Sequence, residues 1–374
     1  LSLQLKDLYD GFRDPEAIKA LAKIIAEDAK KLKEPLNIME VCGGHTHTIM
    51  KYGLKQLLPE NIDFVHGPGC PVCIMPKERI DNAIELANIE GAILCTLGDM
   101  IRVPGSKSSL ANERAKGRDI RSLYSPMDII PIAKENPDKK VIFFAIGFET
   151  TTPMTAAVIL KAKKEGIKNL FVHVNHVLVP PPMHALMEDG EANIGAFIGP
   201  SHVSVITGSK IYEPFPKLYD TPVVVSGFEP VDVMHGISMI VKQKIEGRAE
   251  VEVEYKRSVS REGNLVAQKM IDEVMEVRDH FRWRGIGDIP KSGLKLRDEY
   301  ADIDAEKVFA EYLSNEPIDD HKLCICGTIL KGLAKPYECK VFGTACTPNT
   351  PLGSCMVSSE GACNAYYRFG GVEN

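Results

Sequence analysis

Ten cysteines in two groups carry most of the chemistry that this 374-residue chain offers. Cys42, Cys70, Cys73 and Cys95 form the first group, and Cys324, Cys326, Cys339, Cys346, Cys355 and Cys363 the second, with none between residues 96 and 323. In a large chain of a reducing compartment, clustered cysteines indicate metal or redox chemistry rather than a disulfide framework. Cys42 opens Cys42-Gly43-Gly44-His45, where two glycines permit close backbone approach and a helix starting at His45 would lower the thiol pKa. His45 offers a nitrogen ligand or a proton. Gly69-Cys70-Pro71-Val72-Cys73 is a Cys-x-x-Cys unit expected at a helix head, a spacing that suits a redox disulfide or half of a zinc site. No second Cys-x-x-Cys completes such a zinc site, so redox or soft-metal chemistry leads. Cys95 lies in an apolar run and reads as core. The six terminal thiols fall within forty residues; four thiolates hold one [4Fe–4S] cluster, which leaves two for a disulfide beside it.

Other loops carry weaker signals. Gly147-Phe148-Glu149-Thr150-Thr151-Thr152-Pro153 supplies hydroxyls and a carboxylate at a strand end, to hold a ligand or to cap the next helix. Its first three residues recur as Gly227-Phe228-Glu229, each copy with a proline nearby. Asp99, Arg102 and Lys107 bring charge to a similar place, and His202 reads as a structural histidine in preference to one that supports a site residue. Neither a Walker A element nor a strand leading into Gly-x-Gly-x-x-Gly is present, so nucleotide binding has no support.

These residues need a scaffold to position them. Asp14 as cap, Pro15 at the first helical position and Glu16 at the positive end of the dipole start a helix; Ile18, Leu21, Ala22, Ile25, Ala29 and Leu32 continue it. Apolar runs at 36–41, 64–65 and 92–95 alternate with helical stretches, one opened by Pro76, and predict parallel strands. The pattern restarts at 141–146, with further runs at 170–174, 196–198 and 222–225. The 262–278 stretch reads as a helix. The last fifty residues, dense in Cys, Gly and Pro, predict little regular structure. The expected fold class is α/β: two parallel-sheet Rossmann-like domains (1–134 and 135–255) and a smaller Cys-rich iron–sulfur domain (256–374). Each motif of the first half follows a predicted strand, where open parallel sheets bind ligands. A net charge of -6 argues against nucleic acid as a partner. No apolar run approaches the ~20 residues of a membrane span, and the opening residues lack a signal-peptide layout. A cytoplasmic protein is expected.

Cys42-Gly43-Gly44-His45-Thr46, Gly67-Pro68-Gly69-Cys70-Pro71-Val72-Cys73, the Gly147–Pro153 loop, and the terminal run from Cys339-x6-Cys346 through Cys355-Met356-Val357-Ser358 to Glu360-Gly361-Ala362-Cys363 together resemble the HypD family of [NiFe]-hydrogenase maturation factors. The resemblance covers essentially the whole chain. It implies a scaffold, working with the small chaperone HypC, on which an iron receives cyanide and carbon monoxide, the cyanide delivered by HypE. It further implies Cys42 as the iron-binding cysteine, His45 nearby, and Cys70 with Cys73 as a redox pair. Cluster ligands would be Cys324, Cys339, Cys346 and Cys363, with Cys326 and Cys355 as an additional pair. Glu149 joins the site residues through its motif. Iron(II) with strong-field carbon ligands favours soft thiolate donors, in agreement with these assignments. The alternative is a cluster-linked thiol–disulfide oxidoreductase acting on protein substrates, which leaves Cys42-Gly43-Gly44-His45 unexplained. A zinc-stabilised interaction module ranks third.

Overall fold

The computed structural model describes residues 10–370, so the opening segment read for a signal lies outside the described residues. The first helix forms at Pro15–Ala29, with the Asp14 side chain accepting from the Glu16 N–H and with Ile18, Ala22, Ile25 and Ala29 buried. The strands are β1 (Leu36–Glu40), β2 (Ile62–His66), β3 (Ala92–Leu97), β4 (Ile120–Leu123), β5 (Lys140–Gly147), β6 (Leu170–His176), β7 (Ala196–Pro200), β8 (Val223–Ser226) and β9 (Val251–Val253). Each expected strand is present. β4 and β9, absent from the sequence reading, are short edge strands with partly exposed residues.

Two parallel sheets result, ordered β2-β1-β7-β8-β9 and β4-β3-β5-β6. The expected α/β class with Rossmann-like sheets holds. The strands are not shared out in two consecutive segments, however. The chain makes β1 and β2, builds the whole second sheet, and returns to the first at β7. β4 and β5, on either side of residue 134, share a sheet, whereas β6 and β7 do not. The return depends on β7 pairing along the free edge of β1, Ile38 with Ala196 through Glu40 with Ile198. Local apolar patterning carries no record of so distant a pairing.

Strand alternation sorts the cores. Ile38, with Ile62, Ile198 and Val224, packs under the Pro15–Ala29 and Pro230–Glu246 helices. Val141, Phe143 and Ala145 face the Thr152–Lys164 helix. Their neighbours Met39, Ile142, Phe144 and Ile146 enter a third core, shared with Trp283 and the cysteine-rich segment. Full burial of each such side chain contributes about 1.5–3 kcal/mol, so the sheets are held in register from both faces.

The later chain is less regular. The helix expected over 262–278 stops at Val274, because Met275–Val277 pairs antiparallel with Leu294–Leu296 and that tertiary partner overrides the helical pattern. His280–Trp283 and Gly287–Pro290 form a hairpin. Beyond it are short turns, the short helices Ala305–Val308 and Cys326–Leu330, and a longer unexpected helix, Ala362–Phe369. No helix among the described residues is long and apolar enough to cross a membrane.

Candidate functional site

Ligands of open parallel sheets bind at the strand carboxyl ends, where the strand order reverses. In the first sheet that point lies between β1 and β7, and in the second between β3 and β5. The loops leaving these four strands meet across one cavity of about 250 Å³. Cys42 and His202 line it from the first sheet, Asp99 and Phe148 from the second, with Gly69 after β2 and Glu360 from the C-terminal segment. Two ligand-binding edges thus enclose a single space.

Cys42 caps the Gly43–Lys51 helix, which starts two residues earlier than expected. Its loop crosses the one after β2. Gly43 N–H donates to Gly69 O at 3.3 Å, and a Cβ on Gly69 would fall 2.2 Å from Cys42 N, so only glycine fits at that crossing. Cys42 Sγ lies 3.5 Å from His202 Nε2. Of the two readings of His202, this contact favours support of a site residue over a purely structural histidine; its only local signal is a histidine after an apolar run. The expected lowering of the Cys42 pKa is also corrected: burial, reinforced by the Glu360 carboxylate, pushes the thiol well above its ordinary value. A coordinated cation reverses that balance, because a metal-bound thiol gives up its proton outright.

His45 and His202 both stack on the Phe228 ring, each with its centroid 4.5 Å away. Phe228 comes from the second copy of the Gly-Phe-Glu turn, directly after β8. His45 Nε2 sits 3.2 Å from Ser226 O and 3.0 Å from Gly227 O, which makes it the N–H donor. Its Nδ1 is buried with no partner among the described residues. Burial lowers both histidines to about 4, so each is a neutral imidazole with a lone pair at cellular pH. Glu149 is placed differently from the other motif residues. Phe148 and Thr150 line the cavity and Glu149 does not. Its Oε1 accepts from Val179 N–H at 3.0 Å, its Oε2 is unpartnered, and burial raises its pKa to about 7.

Cys70 and Cys73 close a tight turn rather than heading a helix, which begins only at Lys77. Cys73 N–H reaches Cys70 O at 3.0 Å and Cys70 Sγ at 3.3 Å. Burial, then the thiols of Cys355 and Cys70, push Cys73 well above its ordinary value. Cys355, wholly buried, faces both Cys326 and Cys73, and hydrogen bonding from these two thiols brings it down to about 6. Cys326 Sγ is in turn 3.2 Å from Cys324 Sγ and interacts with Cys363. Sulfurs therefore run from the Cys70–Cys73 turn through Cys355 into the terminal group. Cys346 Sγ accepts from Leu352 N–H at 3.4 Å, and Cys339 Sγ faces Leu323 O at 3.7 Å. A Cβ on Gly353 would lie 2.5 Å from Cys324 Sγ and 2.7 Å from Cys326 Sγ. Among the described residues no three His, Cys, Asp or Glu side chains close around a single-ion position. A group of thiols with backbone N–H donation and a glycine-cleared space is a donor set that fits an iron–sulfur cluster. Cys95, by contrast, is fully buried within β3.

Comparison with known proteins agrees with this arrangement of motifs. A family described as HypD, hydrogenase formation hypA family, matches residues 16–370. The chain is 51% identical over 368 residues to hydrogenase maturation factor HypD2 of Bradyrhizobium diazoefficiens, covering 96% of each chain. It is 50% identical over 367 residues to hydrogenase maturation factor HypD of Azotobacter vinelandii, again with 96% of each covered. With the HypD of Escherichia coli K12 the identity is 44% over 364 residues, covering 96% of this chain and 97% of the relative. The chain belongs to the HypD family of hydrogenase formation proteins.

Proposed function

We propose that this chain serves hydrogenase maturation as a scaffold on which an iron, its cargo, acquires cyanide and carbon monoxide. It would do so with a HypC-type small chaperone and a HypE-type cyanide donor, in the cytoplasm. The observation that carries this reading is the cavity at which both sheets end: it holds one buried thiol, Cys42, beside a neutral imidazole, His202. Cys42 would hold the iron as a thiolate, with His202 Nε2 at 3.5 Å the neighbouring imidazole and the unpartnered Nδ1 of His45 the donor that the motif implies. Thiolate and neutral imidazole are donors suited to iron(II). Burial penalises the thiolate while no cation is present, so Cys42 rests as a thiol and ionises only on taking up its cargo. Once the iron leaves, the proton returns.

Cys70 and Cys73 would exchange electrons with a second pair, Cys326 and Cys355, because Cys355 touches both Cys73 and Cys326. Cys324, Cys339, Cys346 and Cys363 would hold a [4Fe–4S] cluster. Such a group, when bound, supplies single-electron redox capacity next to the thiol pairs. Exposures of only 4% for Cys70 and 1% for Cys73 count against the alternative, in which a protein disulfide would have to reach them.

Infrared spectroscopy of the protein purified anaerobically with its small partner tests the scaffold reading. Cyanide and carbon monoxide bands should be present in wild type and lost in Cys42→Ala with the fold intact. Full-strength bands in that variant would remove Cys42 from the site.

A further inference from the structure

Glu40 and His66 stand opposite each other on β1 and β2 and have no part in the function proposed above. Both are buried, with exposures of 1% and 2%. Glu40 Oε1 lies 2.5 Å from His66 Nδ1 and also accepts from Thr46 Oγ1 at 2.5 Å. That contact assigns the His66 proton to Nδ1 and leaves Nε2 as the acceptor, 3.0 Å from Tyr366 Oη. Burying an ionisable pair is costly compared with apolar residues of the same volume. This one borders a small cavity of about 10 Å³, which His66 and Thr46 line together with Cys70 and Cys73. The space suits about one water.

We propose that His66 is the proton acceptor when the Cys70–Cys73 dithiol is oxidised, with Glu40 and Tyr366 as positioning residues. The proposal rests on the reading of Cys70 and Cys73 as a redox pair. Cys73 gives its proton across the small cavity to His66 Nε2, and the Tyr366 hydroxyl turns from donor to acceptor. The Cys73 thiolate attacks Cys355 of a Cys326–Cys355 disulfide; the S–S bond breaks and its electron pair leaves on Cys326. Cys70 then attacks Cys73 and displaces Cys355 as a thiolate, while the second proton is taken up by Cys326. One dithiol is oxidised, one disulfide is reduced, and one proton remains on His66. Charge separated in this way is tolerable because Glu40 faces the imidazolium. The titratable groups around His66 are Glu40 on β1, Tyr366 on the Ala362–Phe369 helix and, across the cavity, Glu360 and the two thiols.

The test is the rate at which the reduced full-length protein, held anaerobically with excess oxidised glutathione, closes the Cys70–Cys73 bond between about pH 5 and 9. Acid quench, alkylation and mass spectrometry read the product. Wild type should show a rate inflection that His66→Gln lacks, with the neutral-pH rate lowered about tenfold or more. If His66→Gln does not fold, Tyr366→Phe decides: it keeps the ring packing, removes the hydroxyl at Nε2, and should move the inflection without altering the circular dichroism. A folded His66→Gln that reacts at the wild-type rate overturns the proposal, as does a Tyr366→Phe profile that superimposes on wild type. Wild-type thiols that never close would instead defeat the redox reading of the pair, and this proposal with it.

Discussion

Cys42 stands on a sheet edge packed from both faces, whereas the six terminal cysteines stand on turns and three short helical segments. The first site is pre-formed by burial: its strands are fixed by apolar cores, and one glycine crossing sets the thiol against the neighbouring loop. The second has few regular elements to offset the chain entropy of its forty residues. Sulfur contacts, and in our reading a bound cluster, must supply what secondary structure does not. The difference suits the two duties proposed above. A cargo site needs geometry that survives loading and release, while a redox segment needs closely spaced sulfurs, which turns provide more readily than strands.

The largest effect should come from removing a terminal thiol. Cys346→Ser should abolish the iron–sulfur absorbance near 400 nm and leave the tail open to protease, with both sheets still resistant. A tail that stays as resistant as wild type without iron would erase the contrast drawn above. Gly69→Ala should come next, because its Cβ meets the backbone at Cys42 N and Val41 C, both at 2.2 Å, and backbone cannot step aside. A loss of about 4 kcal/mol is expected in chemical denaturation, at the upper end for single substitutions. A loss below about 1 kcal/mol would show that the sheet-edge site is more pliable than we argue.

Glu149 gives a pH signature of the pre-formed side. Its pKa is raised from 4.5 to about 7 by burial. Below about pH 4.5 the folded and unfolded chains both hold the proton, so nothing is lost. As pH rises toward 7 the unfolded chain ionises while the fold keeps its proton, and stability falls; above that the penalty is constant. Glu149→Gln should therefore match wild type near pH 4 and exceed it by about 3 kcal/mol near pH 8. Parallel stability curves would show that Glu149 ionises freely in the fold. The smallest effect is expected for Phe228→Leu, which trades two ring contacts, to His45 and His202, for an aliphatic one. It should cost about 1–2 kcal/mol and broaden the infrared bands of bound cyanide without removing them. Unchanged band widths would show that the stack does not hold the two histidines in place.

Much of this architecture was legible in the residues. Continuous apolar runs announce buried parallel strands, and Asp14-Pro15-Glu16 announces the first helix. The Cys42 loop and the Cys70–Cys73 turn each follow an apolar run, and the adjacent parallel strands β1 and β2 bring them out at one sheet edge. What stayed hidden depends on distant partners. The return of the chain to β1 at β7 brings His202 to Cys42, and no local pattern encodes it. The same holds for Met275–Val277, drawn out of a helix by Leu294–Leu296. The Cys42 thiol was misjudged because a helix start is visible in sequence while burial and the approach of Glu360 are not.

Our central claim is that the sheet edge, at its Cys70–Cys73 turn, and the terminal group communicate through Cys355, which faces both Cys73 and Cys326. The direct measurement is differential alkylation of the cluster-loaded protein, followed by mass spectrometry, after anaerobic addition of two electron equivalents per chain from a reductant that bleaches the iron–sulfur absorbance. In wild type, the two electrons, passed one at a time through the cluster, should convert Cys70 and Cys73 from disulfide to dithiol, with two protons taken up and the cluster left oxidised. In Cys355→Ser, with cluster content unchanged, they should stay oxidised. Equal reduction of Cys70 and Cys73 in that variant would contradict the claim.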